Sequence, residues 1–405
     1  MPTKSLRSMP VAPRVHRFSY AIRNIVAEAK AVEARGTRVR YLNIGDPVAF
    51  GFKTPPHLVE AAVAALREGH NGYLPSAGIQ SAREAVSADY HARGLSISAD
   101  RVLITTGTSE AIDLALNALV GDGDDVLVPA PSYPLYTAVL AKIGAEPRYY
   151  QADPKRDWVP DLDHLRSLIT ARTRVLVVID PNNPTGAVYP ASIRRALIDI
   201  AEQHELTILA DEVYGDLGFD GPVPLLATLE PEAPIISMSS LSKAYLAPGW
   251  RAGWLVVGRT PRLDDVLAAI KKLADGRLCS PGPMQYAVTA ALTGDRSHQA
   301  VFRRALAERG RVTSEMLNAI PGMRCVPPRA AFYALPSISL PRGKTDEDFV
   351  LALLRETGIL CVHGSGFGMP AEQGFFRIVF LADPKELTSI YMDICHFTRE
   401  YLDRG

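Results

Sequence analysis

Cysteine is scarce and scattered: Cys279, Cys325, Cys361 and Cys395 are the only four in 405 residues. They form neither a CxxC pair nor a regular framework, which argues against a disulfide scaffold and against a cysteine-built metal site. Reduced thiols in a cytoplasm fit this usage, and no metal is expected. Long apolar runs are missing as well. Nowhere do about 18 apolar residues follow one another, so no membrane span is expected. The opening MPTKSLRSMPVAPRVHRF has basic residues but no apolar core of signal-peptide length, so the chain reads as soluble and unexported. Nor does charge of one sign prevail, with 44 Lys and Arg against 44 Asp and Glu. A balanced chain has no overall field to gather nucleic acid or an anionic membrane, and partners have to be argued from local sites.

What is present is length and alternation. The chain is too long for one ordinary core, so two lobes with a cleft between them are expected. Its middle alternates short β-branched runs with helical patterns: RVLITT then SEAIDLALNALV, DDVLVPA then LYTAVLAKI, TRVLVVID then ASIRRALIDIAEQH, and LTILAD before PIISMSS. Continuous apolar strands separated by helices predict an α/β, doubly wound, mostly parallel sheet covered on both faces. Toward the C-terminus, RVTSEMLNAI and DEDFVLALLRET read as helices, and FYALPSI, ILCVHG and FFRIVFL as short strands. They predict a smaller α+β domain, joined by an N-terminal helix, YAIRNIVAEAKAVEARG, that stops at Gly36. The expected division is an arm over 1–18, a small domain from 19–52 and 301–405, and a large domain over 53–300.

Ligands of open α/β sheets collect beyond the carboxyl ends of the strands, and the polar residues there are distinctive. After RVLITT come Gly107, Thr108 and Ser109 at a helix start, where free N–H groups and a positive dipole end suit a phosphate, although a plain N-cap would look the same. After VLVVID comes PNNPTG with Asn183, ordinary turn chemistry when taken alone. After LTILA come Asp211 and Tyr214, where a carboxylate is as readily a helix cap. After PIISM comes SSLSKAYLAPGWRAGW, which seats Lys243 among hydroxyl residues. A lone lysine there reads as a surface or salt-bridge residue, but an amine, an acid, a phenol, an amide and a phosphate cradle at successive strand ends would face one crevice. Pyridoxal phosphate needs this set: an amine for its aldehyde, a carboxylate for its ring nitrogen, donors for its phenolic oxygen, and hydroxyls with an arginine for its phosphate.

With S-x-S-K followed eight residues later by Arg, and over nearly the whole chain from about Tyr20, the sequence resembles the class I aminotransferases of pyridoxal-phosphate fold type I. The resemblance implies that Lys243 forms the Schiff base with the cofactor. It implies that Ser240, Ser242 and Arg251 serve the phosphate together with Thr108 and Ser109. Asp211 would pair with the ring nitrogen, Asn183 and Tyr214 would hold the ring oxygen, and Tyr133 of PSYPLY would stack on the ring. GYLPSAG looks like the segment whose tyrosine, here Tyr73, reaches the neighbouring subunit's cofactor, which implies a homodimer with shared sites. NIGDP supplies Gly45, where the backbone would meet the amino acid, and FFRIVF supplies Arg377, whose planar fork would grip the substrate α-carboxylate as lysine could not. SYAIRN, LNIGDPVAFGF, LVPAPSYPLYTA, DPNNPTGAVY and GILCVHGSGF look like the bacterial glutamate–pyruvate (alanine) transaminase branch, whose N-terminal Tyr and Arg receive the substrate side chain. Tyr20 and Arg23 stand at those positions.

The resemblance thus implies a ping-pong transamination, with alanine and 2-oxoglutarate giving pyruvate and glutamate as first choice. Aminotransferases for branched or aromatic amino acids share the motifs. So do carbon–sulfur lyases, which use the same lysine and aspartate for elimination. A cofactor-binding regulator that keeps only the fold is the reading from another class. It is disfavoured because every reactive residue is present.

Overall fold

Successive residues of the apolar runs divide between two cores. In the strand Thr173–Ile179, Leu176 and Val178 join one buried cluster while Val175, Val177 and Ile179 join another. Val126 and Val128 likewise part from Leu127, and Leu209 from Ile208 and Ala210. A two-residue period with both faces apolar is what a strand covered on both sides requires. In the computed structural model of the protein, residues 9–17 and 21–404 are described, those at 16, 17 and 21–24 by backbone alone.

The central sheet has eight strands: β1 (Val102–Thr105), β2 (Asp125–Ala130), β3 (Glu146–Asp153), β4 (Val159–Pro160), β5 (Thr173–Ile179), β6 (Thr207–Asp211), β7 (Ile235–Ser240) and β8 (Gly253–Val257). Their order is β1-β8-β7-β6-β5-β2-β3-β4. The run β7-β6-β5-β2-β3 is parallel throughout, whereas β8 lies antiparallel to both neighbours and β4 antiparallel to β3. The sheet is therefore the expected doubly wound one, mostly parallel with antiparallel edges. Helices Thr108–Leu119, Leu135–Ile143 and Ala191–Gln203 follow β1, β2 and β5, as the helical patterns after those runs predict.

The C-terminal part holds helices Ser297–Asn318, Asp346–Thr357 and Pro384–Asp403 and a three-stranded antiparallel sheet. Its strands are β9 (Tyr333–Ala334), β10 (Val362–His363) and β11 (Phe376–Val379), with β11 in the middle. The N-terminal segment joins it: Arg40–Tyr41 pairs in parallel with Ile359–Leu360, and the Val379 N–H donates to the Leu42 carbonyl at 2.9 Å. That bond draws Asn43 to Gly45 toward β11. The N-terminal helix is Ala21–Glu33 rather than reaching Gly36; residues beyond Glu33 form a turn, in which the Gly36 N–H donates to the Glu33 carbonyl at 2.9 Å.

Candidate active site

The carboxyl ends of β5, β6 and β7 lie side by side, with Ile179 opposite Asp211 and Asp211 opposite Met238. Register alone thus sets the turn with Asn183, the Asp211 carboxylate and the segment leading to Lys243 along one edge. Asp211 is buried, and its Oδ2 accepts from the Tyr136 hydroxyl at 3.0 Å. Burial pushes its pKa up to about 6, against the lowering effects of the Tyr136 hydrogen bond, the Val213 N–H and the Lys243 charge. Tyr136 has an unusually high pKa, because it is buried and faces that carboxylate. Tyr136 lies three residues beyond Tyr133 in the same PSYPLY stretch, and its only mark in the sequence is that of a second tyrosine on the first turn of a helix that follows a sheet strand.

Lys243 is half-buried, and its Nζ donates to the Gly45 carbonyl at 3.0 Å. The ammonium lies 5.5 Å from the Phe332 ring centre and 5.9 Å from that of Tyr214, within the range where an aromatic face attracts a cation. The Tyr214 hydroxyl meets that of Tyr333 at 2.9 Å. A β-carbon on Gly45 would stand 2.1 Å from the Tyr333 hydroxyl, so glycine is required there by the tyrosine it touches.

Arg377 on β11 is buried. It donates to Asn183 Oδ1 at 3.1 Å and to the Asn43 carbonyl, and its guanidinium carbon lies 4.7 Å from the ring centres of both Tyr333 and Phe367. Tyr133 packs beside Val362 and Phe367. The Ser132 N–H donates to the Phe367 carbonyl at 2.9 Å, which fastens the tyrosine's segment to the C-terminal part of the chain.

A second corner forms where β8 runs between β1 and β7, with Gly253 paired to Thr105 on one side and Ser240 on the other. Ser240 and Ser242 are buried, and Ser240 Oγ accepts from the Ser242 N–H at 3.2 Å. Gly107 precedes the helix Thr108–Leu119 at φ 72°. A β-carbon there would come within 2.2 Å of Arg251 Nη2, so the guanidinium lies directly against the bare backbone at the helix start. Arg251 also donates to the carbonyls of Pro248 at 2.8 Å and Thr106 at 3.3 Å. Thr108 Oγ1 is buried without a hydrogen-bond partner among the described residues. A helix N-terminus, an arginine and an orphaned hydroxyl make a suitable cradle for a phosphate.

The chain thus brings together Lys243, Asp211, Asn183, Tyr214, Gly45 and Arg377, with Tyr133 nearby and Thr108, Ser109, Ser240, Ser242 and Arg251 at the adjoining corner. Tyr73 stands apart on the surface, 86% exposed. Tyr20 and the side chain of Arg23 lie outside the described residues. Among the described residues no group of three or more His, Cys, Asp or Glu could hold a metal ion, and no helix is long and apolar enough to cross a membrane.

Residues 38–391 match the family described as aminotransferase class I and II. The glutamate–pyruvate aminotransferase AlaA of Haemophilus influenzae is 36% identical over 405 residues, covering 98% of this chain and 100% of that one. The alanine aminotransferase of Mycobacterium tuberculosis is 37% identical over 404 residues, covering 98% and 94%. Among solved structures, an alanine aminotransferase from Pyrococcus furiosus superimposes with a TM-score of 0.94 at 38% identity, over 96% of this chain and 100% of that one.

Proposed function

The chain belongs to the class I and II aminotransferases, and from that premise we propose that it binds pyridoxal phosphate and transfers the amino group of L-alanine to 2-oxoglutarate, reversibly. The residues present fit that cofactor. The observation that carries the reading is the meeting of Lys243, Asp211, Tyr214 and Arg377 beside a cradle that holds the orphaned Thr108 hydroxyl. When bound, pyridoxal phosphate supplies an aldehyde carbon for an amine and a conjugated ring that takes up the electron pair left as the substrate's Cα–H bond breaks.

The chain's own residues do the remainder. Lys243 Nζ would be the amine that holds the cofactor's aldehyde carbon and, when free, the base for the substrate's Cα proton; its position over the cleft matters as much as its basicity. Asp211 would set its buried carboxylate against the ring nitrogen, and a cation there would offset the burial that raises its pKa. Tyr214 and Asn183 would give donors to the ring oxygen, and Tyr133 an aromatic face. Arg251, Ser240, Ser242, Thr108 and Ser109 would hold the phosphate. Arg377 offers the substrate carboxylate N–H groups that now go to neutral oxygens of Asn183 and Asn43, and a charge-assisted fork is the stronger pairing. Tyr20 and Arg23 are assigned to the substrate side chain from sequence. Because both half-reactions use one site, the kinetics are ping-pong.

We further take the active unit to be a cytoplasmic homodimer. The exposed ring of Tyr73 supports a role across a subunit boundary, and the four cysteines are free thiols. The division into an arm, a small domain (19–52 and 301–405) and a large domain (53–300) belongs to the same proposal, with its second boundary inside the first turns of the helix Ser297–Asn318. Support for alanine and glutamate as substrates comes from the named activities of the relatives. A panel of donors tests it: conversion of the loaded protein to its amino form by L-alanine and L-glutamate, with pyruvate and 2-oxoglutarate as the respective products, is expected. Ammonia release from a donor with a β-leaving group would point to a lyase, and preference for leucine or tyrosine to another aminotransferase.

A further inference from the structure

In the sequence Tyr333 reads only as part of a short strand, FYALPSI. In the structure it touches Tyr214, Arg377 and Gly45. It opens β9 and pairs with Val379 of β11, the strand that carries Arg377. Its ring centre is 4.7 Å from the Arg377 guanidinium carbon, and its hydroxyl is 2.9 Å from that of Tyr214. The side chain is 2% exposed, so neither contact is shared with bulk water.

Two phenols that share one oxygen–oxygen contact place one proton on that line and leave the other free. Which proton is free depends on the surroundings. The Tyr333 hydroxyl is pressed against the Cα of Gly45, where even a β-carbon would stand at 2.1 Å, and Tyr214 is its only hydrogen-bond partner among the described residues. Either oxygen can be the donor of this contact; when Tyr333 donates to the Tyr214 oxygen, Tyr214 keeps its own proton to give elsewhere. A hydroxyl that accepts one hydrogen bond also donates a stronger one. The charged and titratable groups about the pair are Lys243, Asp211, Arg377 and Tyr133.

We propose that Tyr333 is a positioning residue with two tasks: its hydroxyl turns the Tyr214 proton toward the cofactor's ring oxygen, and its ring braces Arg377 for the substrate carboxylate. This rests on the reading of the cleft given above, in which Tyr214 serves that oxygen and Arg377 that carboxylate. The same side chain thereby ties the cofactor's electronic state to the substrate grip.

The two tasks separate by substitution in the cofactor-loaded protein. Tyr333→Phe removes the hydroxyl and keeps the ring, whereas Tyr333→Leu removes both. The readouts are the pH midpoint of the bound cofactor's visible absorption, kcat and KM for L-alanine, and the Kd of 2-methylalanine, which binds but has no Cα hydrogen to lose. For Tyr333→Phe the midpoint is expected to rise by about half a pH unit, because a weaker donor at the ring oxygen lets its proton persist to higher pH. kcat should fall about tenfold, while KM and the 2-methylalanine Kd stay within about twofold. Tyr333→Leu should show the same shift and, in addition, weaken 2-methylalanine by about fivefold or more, the loss of a desolvated cation–aromatic contact. An unchanged midpoint and kcat in Tyr333→Phe would overturn the first task, and equal weakening of 2-methylalanine in both variants the second. Should Tyr333→Leu fail to fold, the Tyr333→Phe measurements still decide the first task. A wild-type protein that takes up the cofactor and shows a titrating band, beside an indifferent Tyr333→Phe, would sink the role of Tyr333 alone. A wild type with no such band would sink the cofactor reading itself.

Discussion

The Tyr136 hydroxyl is 3.0 Å from Asp211 Oδ2, and both groups are buried under the cleft. The phenol donates to the carboxylate and favours its ionised form, so removing it raises the pKa of Asp211 beyond the effect of burial. Tyr136→Phe is therefore expected to move the acid limb of kcat/KM to higher pH and to lower its plateau about tenfold, the scale of one hydrogen bond to a charged group. The pH–rate profile of the variant checks this.

Asp211 links stability to pH in the cofactor-free protein. Its folded pKa, about 6, lies above the ordinary carboxylate value, so between about pH 4 and pH 6 the folded state holds a proton that the unfolded state has released. Stability is lost as pH rises through that window. Asp211→Asn escapes the loss, and its unfolding free energy is expected to exceed that of wild type by about 3 kcal/mol at pH 7 and by nothing at pH 4. Denaturant unfolding at the two pH values measures the difference. The same variant should bind pyridoxal phosphate poorly.

Arg377→Ala should raise KM for every amino acid by a similar factor, about 10–100-fold, since all carry the α-carboxylate. Steady-state kinetics with alanine, glutamate and a branched donor provide the comparison. A loss confined to dicarboxylates would move the assignment to the side-chain pocket.

Gly45→Ala forces a β-carbon to within 2.1 Å of the Tyr333 hydroxyl and 2.6 Å of Phe332 Cε2. Overpacking of this kind costs about 1–3 kcal/mol. A lower melting temperature is expected, restored in part when Tyr333→Phe is added, because the nearest clashing atom is then gone.

Much of this arrangement is legible in the sequence, for a reason visible in the parallel strands. Where a strand is covered on both faces, as at VLVV and ILA, every residue is apolar, and the first polar residue after the run marks the carboxyl edge. Lys243, Asp211 and Asn183 stand at or just beyond such runs, whereas Arg251, which precedes β8, is reached only through the family resemblance. Strand β3, EPRYYQAD, escapes because near the sheet edge it is only partly buried, so its composition carries no continuous apolar signal. β8 is apolar, but its antiparallel direction depends on tertiary pairing that no local pattern encodes. Tyr136 and Tyr333 escape for a different reason. Each is an aromatic in an apolar stretch, indistinguishable from core until the fold brings its hydroxyl to a partner 75 or 119 residues away. The end of the first helix is misjudged because a glycine marks the end of its closing turn and not of the helix.

The central claim is that Lys243 is the amine that holds the cofactor's aldehyde. Loading the purified protein with pyridoxal phosphate, reducing it with borohydride and mapping the modified peptide by mass tests it most directly. The predicted result is one pyridoxyl group per chain, on Lys243, and none in Lys243→Ala, which should still bind the cofactor measurably but not turn over. An adduct on another lysine, or no adduct at all, would contradict the account.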